Sequence, residues 1–526
     1  MADYSLVNRN QDYGGTNLEG VPTHEEYQNF RQRWDFLQRS YNGGAQYRMG
    51  NYLTKYVMES SHEYISRIAQ TPLDNHCKSI IHIYNSFLFR NSPKRKLGNL
   101  EGLPEVEAFM LDADLEGRDF DSFMREVNIQ ASVYGHCCVI LDKPNVLVGT
   151  RAEELQQGIR PYCNLYTPEN ILDWEYERLP SGLYELSFLR LLEKEQKAYG
   201  SATKYWIRTF TRDKIYLEEY DQHRQDKLKL YEELPNELGK VPAVFVYAQR
   251  SPTRGIGISD IGDIADMQNA IYNELSEIEQ TIRLSGHPTL IKTFDTEASA
   301  GAGAIINLPN DIDPALRPSL LQPSGQSIDM IIRSIENKVK AIDRMAHMGS
   351  VRAIETRSMS GIALQTEMLQ LDTKLIEKAK NLQLAEEHIW RLFSQWQGID
   401  WDGEVKYPNI FNIRDRNYEM EILKKAADAN PVDPMVRGLI DKKIMETIET
   451  DEDELESYVA NGREQHPETT PADRSAHIQE MIMEGYTDQQ ILQIHPEISQ
   501  ADIDAAKQQL LNSNNETAST TQTPIG

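Results

Sequence analysis

The sequence predicts an α+β fold, predominantly helical, with antiparallel β elements and long helices. Apolar residues recur every three or four positions through 261–282, 328–346 and 364–396, the period of helices with one apolar stripe. Between 160 and 250 the period falls toward two, in β-branched and aromatic runs bounded by Gly, Pro and Asp. With 40% hydrophobic and 26% charged residues over 526 positions, the chain has enough apolar surface for a large core, so wholesale disorder is not expected.

Residues 1–50 divide into a polar, Gly/Asn-rich arm and a first helix. Thr23–Glu26 (THEE) has capping-box spacing and opens a helix that runs to about Ser40, before the YNGG break. Residues 51–258 form a mixed α/β block. Helical patterns cover about 60–90, 104–112 and 119–134, and CCVILD (137–142) reads as a buried strand. LYELSFLRLL (183–192), TKYWIRTF (203–210), DKIYLEEY (213–220) and VPAVFVYA (241–248) are strands whose short connections favour antiparallel pairing.

A helix over 259–286 follows, with Ser259 as its cap. Its apolar stripe is Ile261, Ile264, Met267, Ile271, Leu275, Ile278 and Ile282. Asp260, Asp263, Asp266, Glu274, Glu277 and Glu279 face only one base, Arg283, over the same stretch. Residues 287–326 read as a small β module (PTLIKTF, AIINLP, LRPSLLQP). A second striped helix spans 327–348 through Ile328, Ile332, Ile335, Val339, Ile342 and Ala346, and is ~33 Å long. Its Arg333, Lys340 and Arg344 share a face; they can look outward or pair with the acidic helix, and pairing is the expectation.

Residues 349–360 then separate two strong helix formers. The linker carries Arg352, Glu355 and Arg357 among small residues, a charge pattern that an ordinary interhelical turn does not need. The helix assigned to 361–405 has a stripe from Leu364 to Trp396 and measures ~50 Å. Residues 406–511 are short helices punctuated by Pro, including the acid run ETIETDEDELE (446–456). Residues 512–526 form a Ser/Thr/Asn/Gln-rich tail expected to be disordered.

The formal net charge of −26 argues against a chain that grips nucleic acid over a broad surface. It is compatible with one past which a polyanion slides. The four cysteines lack metal-site spacing and are expected to be buried free thiols in a soluble chain made in a cytoplasm, without signal peptide or membrane span. DADLEGRDFDSF (112–123) begins like a calcium loop, but Phe123 stands where a bidentate Glu is needed, so a helix start is the better reading. No GxxxxGK[ST] or HExxH occurs. His136 beside Cys137 and Cys138 reads as core, and Trp390 and Trp396 as packing residues. The acidic 476–511 cluster is unsuited to reading DNA. No catalytic residue, metal or cofactor is expected.

The order of elements resembles the portal (head–tail connector) family of tailed bacteriophages: a mixed block, a striped helix out, a β module, a striped helix back, a polar loop and a very long helix. Five phrases carry the resemblance in order: DFDSFMREVNIQASVYGHCCVILDKP (119–144), RPYCNLYTPENILDW (160–174), LGKVPAVFVYA (238–248), GIGISDIGDIADMQNAIYNELSEIEQTIRLSGHPTL (255–290) and SVRAIETRSMSGIALQTEM (350–368). The first 100 residues and those after 410 carry little of it.

By that resemblance 51–258 and the long helix 361–405 would be the wing, 259–286 and 327–348 the stem, 287–326 the clip, 349–360 the tunnel loop and 406–511 the crown. The resemblance implies a non-enzymatic homo-oligomeric ring, a dodecamer in most of the family, at the capsid portal vertex of a virion. Its implied partners are the terminase large subunit, head-completion (neck) proteins, major capsid and scaffolding proteins, and double-stranded DNA passing through the channel; no membrane is implied. Arg352, Glu355 and Arg357 would then face DNA from the tunnel loop. Asp263, Asp266, Glu274, Glu277, Arg333, Lys340 and Arg344 are the stem and channel candidates. Two rival readings remain open: a coiled-coil scaffold of a virion without a channel, and a metal-dependent enzyme using the acids at 112–121.

Overall fold

A computed structural model describes residues 20–144, 151–195, 204–221, 223, 227–286, 289–291, 313, 319–321, 325–348, 361–409, 411, 423–426 and 444, and, near the C-terminus, 478, 479, 481, 482, 487, 488, 500 and 503–507. The chain splits into two compact units, residues 1–413 and 414–526. The arm at 1–19, the linker 349–360, the acid run 446–456, the strand AIINLP and the tail 512–526 lie outside the described residues.

The first unit combines helices with antiparallel sheet. Helix α1 (Glu25–Asn42) is capped by His24, not Thr23, because the imidazole Nδ1 accepts the Glu26 N–H at 3.1 Å. After α2 (Gly44–Met49), the pattern at 60–90 resolves into α3 (Ser61–Gln70) and α4 (His76–Leu88). Pro72 follows the end of α3, and Asn75 caps α4 by accepting the Lys78 N–H. A short β1 (Lys94–Lys96) precedes α5 (Pro104–Leu111). Asp119 caps α6 (Phe120–Tyr134), and Gly135, at φ 95°, ends it.

Strand β2 (His136–Asp142) follows, then α7 (Arg151–Gln157) and β3 (Tyr162–Tyr166). A five-stranded meander runs through β4 (Ile171–Arg178), β5 (Tyr184–Glu195), β6 (Lys204–Thr211), β7 (Lys214–Tyr220) and β8 (Leu228–Pro235) in simple order. The expected strand at 241–248 is β9 (Ala243–Tyr247), which leaves the meander. It pairs with β2, making a three-stranded sheet β3-β2-β9 with Cys138 opposite both Tyr166 and Phe245. β2 occupies the centre because Cys137 to Leu141 are apolar on both faces and become fully buried. Short β10 (Gln249–Arg250) and β11 (Gly257–Ile258) pair next to it.

Helix α8 (Gly262–Gly286) begins three residues later than Ser259. Ser259 instead makes a turn: its hydroxyl donates to the Val133 carbonyl at 2.7 Å and accepts the Ile261 N–H, clamping the end of α6. Strands β12 (Thr289–Ile291) and β13 (Ser319–Leu321) pair antiparallel, and α9 (Gly325–Met345) returns alongside α8.

Helix α10 (Gly361–Gln397) has 37 residues, ~55 Å. It stops at Gly398 (φ 67°), short of the expected 405, and 404–406 form β14 (Glu404–Lys406), paired with β1. Its expected stripe is buried at Leu371, Leu375, Ala379, Leu382, Ile389 and Phe393. Phe109, Phe120, Trp390 and Phe393 form an edge-to-face and tilted aromatic cluster, which fixes α10 to α5 and α6. The first helix shares this core through Trp34 and Leu37.

In the second unit Ile478, Met481, Ile503 and Ala506 form a small cluster, and Lys507 pairs with Asp488 at 2.6 Å. Both ends of the expected 476–511 helical pattern therefore meet in one core.

Candidate functional site

The α8/α9 hairpin is rooted on buried charges. Asp260, just before α8, accepts from Lys378 Nζ at 2.6 Å and lies 3.4 Å from Lys374 Nζ. Lys378 also donates to Ser132 Oγ at 2.8 Å, and the Asp260 N–H to the Ser132 carbonyl. The side chains of Asp260 and Lys378 are only 5% and 3% exposed. Burial alone would raise the Asp260 pKa, but the two ammonium groups reverse this and hold it below the ordinary carboxylate range. Burial opposes the charge on Lys374 as well; Asp260 outweighs it and raises that pKa.

The same locus holds the near end of α9. Tyr84 lies under the Lys374 ammonium at 4.9 Å, and its hydroxyl donates to the Ala346 carbonyl at 2.7 Å. Ala346 and Met348 are fully buried, and His347 contacts Gln370 across to α10. The helices on both sides of 349–360 are thus fastened to one body. Further along α10, buried Glu386 receives Arg95, Trp390 and Tyr407, and Arg95 also reaches Asp121.

Sequence reasoning missed Asp260, Lys374, Lys378 and Glu386 as a set, although a signal exists. Lys378 lies three residues after Leu375 and four before Leu382, and Glu386 falls between Leu382 and Ile389 in the same way. A charge on the apolar line of a helix needs a buried counter-charge.

The four acidic stem candidates share one face of α8 at spacings of three, eight and three, and most of them have partners in their own chain. Asp266 takes a bidentate pair from Arg33 of α1, with both bonds 2.7 Å. Glu274 accepts from Ser334 and Lys338 of α9 at 2.7 and 2.6 Å. Glu277 accepts from the Tyr56 hydroxyl. Asp263 stays exposed. Beside them a polar ladder, absent from the apolar-stripe reading, docks residues 47–67. Asn269 meets Tyr47, Asn273 meets the backbone at Tyr52 and Thr54, and Ser276 meets Arg67.

The expected pairing of Arg333, Lys340 and Arg344 with α8 is corrected: Lys338 makes that contact. The three candidates are exposed, and among the described residues none has an ion pair. Helix geometry gives the reason. Each residue turns about 100°, which leaves Arg333, Lys340 and Arg344 roughly 120–160° around α9 from Lys338.

Other sequence readings find clear places. Asp112 and Asp114 accept backbone N–H groups of their own loop and pair with Arg160 and Arg118. His136 is fully buried, accepts the Gly257 N–H, and has its pKa lowered to about 3 by burial. The four cysteines are buried free thiols. Trp390 packs in the aromatic core, and Trp396 donates to the Leu141 carbonyl. Arg352, Glu355 and Arg357 lie outside the described residues. Among the described residues no helix is long and apolar enough to cross a membrane.

No protein-family model matches the chain, and no curated protein matches it. Among solved structures, the chain is similar to one from the neck of an empty gene transfer agent (GTA) particle, computed with C6 symmetry. That match has a TM-score of 0.41 and 9% identity, and covers 74% of this chain and 95% of that one. A chain from the virion of a native GTA particle gives a TM-score of 0.38 and 10% identity, covering 69% and 88%.

Proposed function

We propose that this chain is the subunit of a phage portal ring, a structural, non-enzymatic channel at one capsid vertex through which double-stranded DNA enters and leaves. The observation that carries this is the α8/α9 hairpin. A pair of helices extends from an α/β body to a small β pair, its root stapled by Asp260, Lys374 and Lys378 to the longest helix of the chain. Of these elements the portal-like phrases cover α8 (255–290) and the start of α10 (350–368), in that order. Repeated around an axis, such hairpins make a wall of rods around a water-filled bore.

In this reading 287–326 docks the terminase large subunit and then neck proteins, and the outer body meets capsid and scaffolding proteins. Residues 349–360 form the constriction, where Arg352 and Arg357 touch phosphates transiently and Glu355 limits their grip. Brief contact suits transport, since many tight phosphate contacts would halt it.

Electron microscopy and native mass spectrometry of the purified chain test the proposal. A ring with a central bore is expected, a dodecamer if the usual family number holds. An elongated particle of low copy number without a bore would instead support the coiled-coil scaffold. Arg352→Ala with Arg357→Ala should leave the ring intact and impair packaging or retention of DNA; unchanged packaging would remove the constriction from the account.

A further inference from the structure

Two outward faces of the hairpin carry opposite charge at matching heights. On α9, Arg333, Asn337, Lys340 and Arg344 are exposed at spacings of four, three and four, a single stripe ~17 Å long. Among the described residues its three cations have no ion partner, although Asp329 and Glu336 stand one turn from Arg333 and Lys340. On α8, Asp263, Asp266, Ala270, Glu274 and Glu277 follow one another at three, four, four and three, in the window between α9 and the docked segment 47–67.

We infer that in the assembled ring the basic stripe of α9 seats on the acidic window of α8 of a second copy, forming the seam between neighbours. This inference rests on the ring reading above and names the surfaces that join its subunits.

The register supports the match. Glu274 bonds both Ser334 and Lys338, so it lies level with residue 336. Counting residue for residue along antiparallel helices puts Arg333 level with Glu277, Lys340 with Ala270, and Arg344 with Asp266. A rotation about an axis along the hairpin preserves height, so each arginine of one copy meets a carboxylate of the next at its own level. Lys340 falls between Asp266 and Glu274. The contact joins two different faces, as a head-to-tail seam requires, and such seams close into rings when the rotation closes. Lys338 already shows an α9 cation accepted by this acidic face within one copy, at 2.6 Å.

Full-length variants test this by sedimentation velocity and native mass spectrometry. Arg333→Glu with Arg344→Glu removes no intrachain contact seen among the described residues. It should raise the concentration for half-assembly at least tenfold while leaving the monomer's circular dichroism and melting unchanged. Asp263→Lys with Glu277→Lys, which spares the Asp266–Arg33 pair, should likewise fail to assemble alone; because Glu277 accepts from the Tyr56 hydroxyl, its monomer melting is compared with that of Tyr56→Phe, which removes that bond alone. Mixed, the two variants should assemble again, because each then offers the other a complementary face, and the rings should contain them in alternation. Wild-type assembly should weaken as salt rises.

Rings of the arginine variant that form as readily as wild type would overturn the seam while leaving the ring reading standing. Intact rings that no longer retain DNA would overturn it in favour of a phosphate-facing stripe. Failure of the mixture to recover, with both monomers folded, would also refute it. A wild-type chain that stays monomeric would refute the ring reading itself.

Discussion

Replacing Asp260 by alanine should destabilise the first unit severely. The carboxylate is 5% exposed and sits 2.6 Å from the Lys378 ammonium and 3.4 Å from that of Lys374. Its removal leaves two cations together in the core, with Ser132 Oγ at 2.8 Å as the remaining acceptor for Lys378. Breaking a buried pair from one side costs about 3–5 kcal/mol, most of it the uncompensated charge left behind. Removing both members costs less, because no orphaned charge remains at that pair. Asp260→Ala combined with Lys378→Met should therefore recover at least ~2 kcal/mol relative to the sum of the single losses.

The assay is urea unfolding of the full chain followed by tryptophan fluorescence. All six tryptophans precede residue 413, so the signal reports the first unit alone. The pH dependence adds a check on sign. The folded Asp260 pKa is depressed, so its stabilisation is present above the unfolded carboxyl value of ~3.9. It disappears as pH falls through the folded value. The gap between wild type and Asp260→Ala should accordingly close in acid. A loss below ~1 kcal/mol at neutral pH, or strict additivity in the double variant, would refute the view that this pair roots the hairpin.

Three further outcomes are expected. Arg67→Lys should cost about 2 kcal/mol and expose 51–60 to proteases, because one guanidinium spans Glu59, the Thr54 carbonyl and Ser276 while lying 4.1 Å over Tyr56; unchanged melting and digestion would contradict this. Gly135→Ala should lose at least ~3 kcal/mol, since φ is 95° and a Cβ would lie 2.5 Å from the Gly257 carbonyl oxygen; thermal melting decides it. Glu169, whose pKa burial raises to about 7, keeps its proton in the folded state between the ordinary carboxyl value of ~4.3 and that point. Its contribution to stability should fall by about 3 kcal/mol as pH rises through this window. Glu169→Gln should remove that slope, and an unaltered slope in urea titrations from pH 4.5 to 8 would count against the assignment.

Elements whose burial follows their own periodicity were legible in the sequence. β2 is legible because its apolar run is too short for a helix and is bounded by Gly135 and Asp142, and α10 because its stripe persists for nine turns. β8 was missed for the opposite reason. LKLYEELP is exposed along nearly its whole length and is a strand only because β7 offers a hydrogen-bonding edge. β9 is legible as a strand that pairs antiparallel, but its partner is not. Pairing partners are set by where β2 lies in space, and nothing in VPAVFVYA encodes that. Thr23 lost the cap to His24 because the imidazole Nδ1, rather than the hydroxyl, reaches the Glu26 N–H.

The charges divide along the same line. In the sequence, the acids of α8 alone argue for pairing Arg333, Lys340 and Arg344 with that helix. Packing decides differently: Ser334 and Lys338 bond Glu274, and the attractive trio is carried to the far side by the helical turn. Buried Lys378 and Glu386 had the reverse fate, standing on the apolar line where hydrophobic periodicity counts them as interruptions. Their pairs with Asp260 and Arg95 tie α10 to the hairpin root at one end and to α6 and β14 at the other. Asp260, just ahead of α8, thereby joins the start of the hairpin to α10 through Lys374 and Lys378, while the Tyr84 hydroxyl and Gln370 hold Ala346 and His347, at the end of α9, on the same body.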